Sequence, residues 1–146
     1  MPEPTPPSAS RHVFVYGTLR RGDVRDITRL HPAPQFVGMA SVAGVLYDLG
    51  PYPGVVLGGP AGVVGEVYTI SAELERQLDV IEEVWPQQTG EYSKQVVRVQ
   101  LELSQAPAAS DALALDCLVY EINPARTAGQ AVISGGDWLE HRQRRS

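Results

Sequence analysis

His12-Val13-Phe14-Val15-Tyr16-Gly17-Thr18-Leu19-Arg20-Arg21-Gly22 is the stretch on which the reading of this chain turns. Val13 to Tyr16 form a run of β-branched and aromatic side chains, which predicts a short buried strand. The run passes straight into Gly17. A strand that ends at glycine leaves backbone N–H groups without ladder partners, and the missing Cβ lets a ligand or another backbone come close. Tyr16 and Thr18 flank this opening with hydroxyls, so the stretch fits a small polar pocket for an anionic or amide-bearing ligand. An ordinary strand followed by a turn fits the same residues, and these residues alone do not separate the two.

Outward from this strand, residues 1–11 are rich in Pro and Ser and are expected to form a disordered leader. Residues 12–140 read as a single domain, and 141–146 as a frayed basic tail. After Gly22 the chain is polar and basic to Leu30, a loop or a short helix, and His31-Pro32-Ala33-Pro34 breaks any helix there. Gln35 to Leu49 predicts a strand whose glycines suggest a bulge. Pro53-Gly54 fits the central positions of a type II turn. Val55 to Leu57 predicts a brief strand before a turn at Gly58-Gly59-Pro60, and Val63 to Ile70 a firmer one. Ser71 to Val84 predicts a helix, with Ser71 as N-cap and Leu74, Leu78 and Ile81 on one stripe. Strands follow at Tyr92 to Leu103 and Leu113 to Ile122, separated by an Ala/Pro/Ser loop. A short helix is expected near Ala128 to Ile133. Strands dominate around one clear helix: an α+β domain, a partly closed barrel.

The composition excludes several classes of function. The chain has 146 residues and a formal net charge of −5, which argues against phosphate-backbone binding, so no nucleic-acid partner is expected. No apolar run approaches the ~20 residues of a membrane helix. The first residues lack the basic and apolar regions of a secretory signal. A single cysteine, Cys117, rules out an internal disulfide. These features predict a cytoplasmic protein; a monomer is expected. Cys117 lies mid-strand and reads as a packed core thiol. His12, His31 and His141 are scattered without metal-ligand spacing, so no metal is expected. Gly17 to Gly22 lacks the Gly-Lys-Ser/Thr ending of a phosphate loop.

Helical phase sorts the candidate acids. With Leu74 as origin and about 100° per residue, Ile81 and Leu78 lie close together and Glu83 falls opposite them. Glu82 lands on the flank of the apolar stripe beside Leu78. Glu75 shares that flank, but near the helix start. A carboxylate at a core margin is partly desolvated, which raises its pKa and suits a general acid or base. Pairing of Glu82 with a surface Lys or Arg fits the same pattern. Glu66 is the rival acid: it alternates onto the face of Val64, Tyr68 and Ile70, which predicts a buried structural pair with an arginine.

Tyr16-Gly17-Thr18-Leu19, Tyr52-Pro53-Gly54, Gly65-Glu66-Val67-Tyr68 and Leu78-Asp79-Val80-Ile81-Glu82, in this order, resemble the γ-glutamylcyclotransferase-like superfamily, most closely its γ-glutamylamine cyclotransferase/AIG2-like branch. The resemblance spans roughly residues 12–122, and Ile133-Ser134-Gly135-Gly136-Asp137-Trp138 is similar to bacterial members. It implies a mixed β-barrel with flanking helices and a cavity at one end. It also implies release of 5-oxoproline from a small γ-glutamyl amine or peptide, with no cofactor. Carried over by motif, Tyr16, Gly17, Thr18 and Leu19 cradle the glutamyl α-carboxylate, Tyr52 and Tyr92 join the substrate site, and Glu82 is the catalytic acid. In such a reaction the substrate's own α-amine attacks its γ-carbonyl. Two departures stand out. The family's Tyr-x-Arg is Tyr92-Ser93-Lys94 here, and lysine lacks the planar fork of arginine. An insert from Val84 to Glu91 also falls where the leaving-group side of the pocket would be. A non-catalytic binding module of the same fold, or an amide-cleaving relative acting on a biosynthetic γ-glutamyl intermediate, remains compatible with these residues.

Overall fold

Val13, Phe14 and Val15 are all buried, yet they face two different cores. In the computed structural model, which describes residues 11–23, 25–50, 52–81, 92–101 and 114–145, they form the centre of β1 (Arg11–Val15). Phe14 points into a core built by every barrel strand, with Val42, Val63, Val67, Val99 and Val119. Val13 and Val15 point the other way, into a second core with Leu74 and Leu78 of the helix α1 (Ala72–Ile81). Burial on both faces is why this strand carries an unbroken apolar run.

The remaining strands are β2 (Gln35–Asp48), β3 (Pro53–Ile70), β4 (Tyr92–Leu101), β5 (Ala114–Ile122) and β6 (Ala131–Val132). They are ordered β3-β1-β5-β4-β2-β6, and β2 pairs again with β3. The first five therefore close on themselves, and β6 extends from β2. The barrel is mixed: β1 runs antiparallel to β3 and parallel to β5, where Val13 lies opposite Leu118. Closure on the other side is slight, with Ala40 and Ser41 of β2 opposite Leu101 and Gln100 of β4. The α+β barrel expected from the sequence is present, closed rather than partly open.

Four local expectations change. Pro53 and Gly54 are not the centre of a turn but the first residues of β3, opposite Asp48 and Tyr47. The chain reverses just before them, where the Leu49 amide donates to the Tyr52 carbonyl at 3.0 Å. Gly58-Gly59-Pro60 does not divide two strands, because β3 runs through it as one element. The pairing jumps from Ala43–Gly62 to Gly44–Leu57, so residues 58–61 bulge outward without partners in β2. The helix expected near Ala128 is replaced by a 3-10 turn at Pro124–Thr127, capped by Asn123, and by β6. The basic residues from His141, expected to fray, continue a second helix, α2 (Trp138–Arg145).

Helix α1 follows its pattern. The Ser71 hydroxyl accepts from the Leu74 amide at 3.1 Å, and Leu74 and Leu78 are fully buried. Residues 82–84 of the expected helix, the 84–91 insert, the 104–111 loop and residues 1–10 of the expected leader lie outside the described residues.

Candidate functional site

Beyond β1 the chain makes a tight, self-bonded loop. The Gly17 carbonyl accepts from the Arg20 amide, the Thr18 carbonyl from the Arg25 amide and the Leu19 carbonyl from the Ile27 amide, each at 2.9 Å. All three carbonyls are thereby satisfied within the loop. Among the described residues, the N–H groups of Gly17, Thr18 and Leu19 make no hydrogen bond. Buried amides are nearly always paired, so three successive unpaired donors beside a cavity mark a place for an acceptor.

The cavity has a volume of about 210 Å³ and lies where the loop meets the start of β3. Gly17 makes that meeting possible: a Cβ there would come within 2.7 Å of Pro53 Cγ. Tyr16, Gly17, Thr18, Leu19, Tyr52 and Tyr92, all assigned to the site from the sequence, lie along its wall. Phe14, Val15, Arg25, Pro53, Ile81 and Tyr120 complete it. The expected acid, Glu82, lies outside the described residues; Ile81, immediately before it in the chain, is the last residue of α1 and lines the cavity.

Two of the tyrosines are braces as well as walls. The Tyr16 hydroxyl donates to the Tyr120 carbonyl at 2.6 Å and accepts from the Val55 amide at 3.3 Å, tying β5 to β3. The Tyr92 hydroxyl donates to the Pro53 carbonyl at 2.8 Å, and its ring packs obliquely on Tyr52 at 6.3 Å. Tyr120, missed by the sequence reading, donates its hydroxyl to Asp79 of α1 at 2.7 Å. The other Asp79 oxygen accepts from Lys94 Nζ at 2.9 Å, and Lys94 also reaches Glu75 at 2.6 Å. At this position lysine serves as a point charge shared by two carboxylates on one helix, a role that does not need the arginine fork. Lys94 therefore clamps α1 to the sheet and is not itself in the cavity wall.

Arg20, the residue after the unpaired amides, is 5% exposed and held between two acids. Its Nε bonds Glu66 at 3.0 Å and its other arm Asp137 at 3.0 Å. Glu66 also accepts from the Arg21 amide and the Tyr68 hydroxyl, each at 2.9 Å. Glu66 is thus the buried structural partner that the alternation predicted. Burial, with this hydrogen bond to Glu66, pushes the Tyr68 hydroxyl pKa far above the usual phenol range. Asp23, 3% exposed, accepts from the Trp138 indole at 2.8 Å and pairs with Arg142. The loop is thereby stapled to the C-terminal helix. Among the described residues no His, Cys, Asp or Glu cluster could hold a metal, and no helix is long and apolar enough to cross a membrane. Cys117 is fully buried, and burial raises its thiol to about 12.

The closed mixed barrel with its flanking helices is the fold of solved γ-glutamylcyclotransferase-like proteins. The chain belongs to the γ-glutamyl cyclotransferase, AIG2-like family, whose model matches residues 13–140. It is 43% identical over 74 residues to the "Putative gamma-glutamylcyclotransferase" of Vibrio cholerae serotype O1, covering 49% of this chain and 62% of that one. It is 40% identical over 73 residues to the γ-L-glutamyl-butirosin B γ-glutamyl cyclotransferase of Niallia circulans, covering 49% of this chain and 46% of that one. The aligned stretch thus spans about half the length of these curated relatives. The crystal structure of an AIG2-like protein from Mus musculus superposes with a TM-score of 0.59 at 27% identity, over 77% of this chain and 76% of that one.

Proposed function

We propose that this chain is a γ-glutamyl cyclotransferase that releases 5-oxoproline from a small γ-glutamyl amine or peptide, with Glu82 as general acid and base. The observation that carries this reading is the row of unpaired N–H groups at Gly17, Thr18 and Leu19 along the cavity. Three adjacent backbone donors suit a carboxylate, the group every γ-glutamyl substrate carries next to its attacking amine.

The reaction asks little of the protein beyond position and proton transfer. The α-ammonium gives one proton to Glu82, and the freed nitrogen bonds to the γ-carbonyl carbon. The bond from that carbon to the leaving nitrogen breaks as the leaving nitrogen takes the proton from Glu82. The surplus proton of the lactam nitrogen passes to the departing amine, which leaves as an ammonium. No water is consumed and no oxidant is needed. Holding the α-carboxylate while tyrosine rings fold the chain back makes the attack intramolecular, worth up to about 7–11 kcal/mol. Proton transfer by a positioned carboxylate adds roughly 10²–10⁴ in rate. Ile81 on the cavity wall, with Lys94 and Tyr120 gripping Asp79, supports a firmly held helix end immediately before Glu82.

The test is release of 5-oxoproline from a panel of γ-glutamyl amino acids, γ-glutamyl-ε-lysine and glutathione. Glu82→Gln should lower kcat by about 10²–10⁴ while the protein stays folded. Full turnover by that variant removes Glu82 from the mechanism. Binding of the panel without turnover by the unaltered protein replaces the enzyme with a binding module.

A further inference from the structure

We propose that Arg25 reads a carboxylate on the leaving half of the substrate, so that γ-glutamyl amino acids and peptides are preferred to γ-glutamyl amines lacking that acid. This rests on the cyclotransferase reading and adds the substrate class to it. Of the described residues that line the cavity, Arg25 alone carries a formal charge; the others are aliphatic, aromatic, proline, glycine or threonine. Its place is fixed from the backbone, since its amide is bonded to the Thr18 carbonyl of the binding loop. Its side chain is exposed and stretches across to the end of α1, where one guanidinium nitrogen meets the Ile81 carbonyl at 3.4 Å. The negative end of the helix dipole favours a cation there.

Among the described residues nothing else engages this guanidinium. Among the described residues no carboxylate pairs with it, whereas Arg20 of the same loop is consumed by Glu66 and Asp137. An arginine carries five N–H donors, so a long single contact to a carbonyl leaves a fork fit for a carboxylate. The glutamyl α-carboxylate already has its own cradle in the amides of Gly17, Thr18 and Leu19. Arg25 is exposed and lies instead beside Ile81, the residue before Glu82, which on the cyclotransferase reading hands the leaving amine its proton. A second carboxylate belongs there.

The measurement uses a matched pair, γ-glutamylalanine and γ-glutamylethylamine, which differ only by that carboxylate. The kcat/KM ratio is read for the unaltered protein, Arg25→Lys and Arg25→Met, with melting temperatures as a check on folding. The expected result is a preference for γ-glutamylalanine that falls about 10–100-fold in Arg25→Met and partly survives in Arg25→Lys, the range of a lost charge-assisted hydrogen bond. Turnover of both substrates without preference, or an equal loss on both in Arg25→Met, overturns the assignment and leaves the cyclotransferase reading standing. Release of 5-oxoproline from neither substrate by the unaltered protein overturns both.

Discussion

Glu66 holds three donors at once: the Arg20 guanidinium, the Arg21 amide and the Tyr68 hydroxyl. Removing one member of a buried ion pair costs more than the pair contributes, because its partner is left desolvated. Glu66→Ala is expected to destabilise the protein by about 3–5 kcal/mol, read as a lower urea midpoint. The loss should appear in stability before activity, since Glu66 is absent from the cavity wall. At this scale the sequence was informative about the acid and silent about its surroundings. Alternation along Val63 to Ile70 puts Glu66 on an inward face, and an acid there needs a cation. That Arg20 supplies the cation, shared with Asp137 from 117 residues away, depends on tertiary packing that no local pattern encodes. Arg25 is illegible for the same reason: a polar loop has no period from which to learn which side chain faces a cavity.

At the scale of elements, α1 and β4 are joined by charge as well as by packing. Burial pushes the Lys94 ammonium pKa down, but Glu75 and Asp79 outweigh it and raise the pKa above its ordinary value. A folded pKa above the unfolded one, about 10.4, means the contribution is complete below that pH and is lost as pH climbs through the folded value. The stability difference between the unaltered protein and Lys94→Met should therefore be constant near neutrality and shrink in strongly alkaline solution. Urea midpoints at pH 7 and above pH 10 check this, and a difference that grows with pH contradicts it. The helix itself was legible, because Ser71, Leu74 and Leu78 are a cap and a stripe within a few residues. Helix α2 was not. Its run of basic residues looks solvated until Trp138 and Arg142 meet Asp23, and His141 meets Asp48 at 2.8 Å. Gly136, with φ 68°, lets this segment enter; a Cβ there would lie 2.1 Å from the Gly62 carbonyl oxygen.

For the whole molecule, the strands could be found one by one, but their order around the barrel could not. Only the β2–β3 hairpin joins strands that follow each other through a short turn; β1 meets β5, and β4 meets β2, across long intervals. The candidate cavity lies on one of those distant seams. Tyr16 and Tyr120, joined by a hydrogen bond on its wall, are 104 residues apart in the chain. Contacts of such sequence separation carry a large loop-closure cost and form after local ones. The β2–β3 hairpin should therefore gain amide protection early in refolding, and the β1–β5 seam last. Pulse-labelled hydrogen exchange resolves the order; simultaneous protection of both would reject it. A newly made chain then completes the wall of the candidate cavity only at the final step of assembly, so half-folded molecules present no formed pocket.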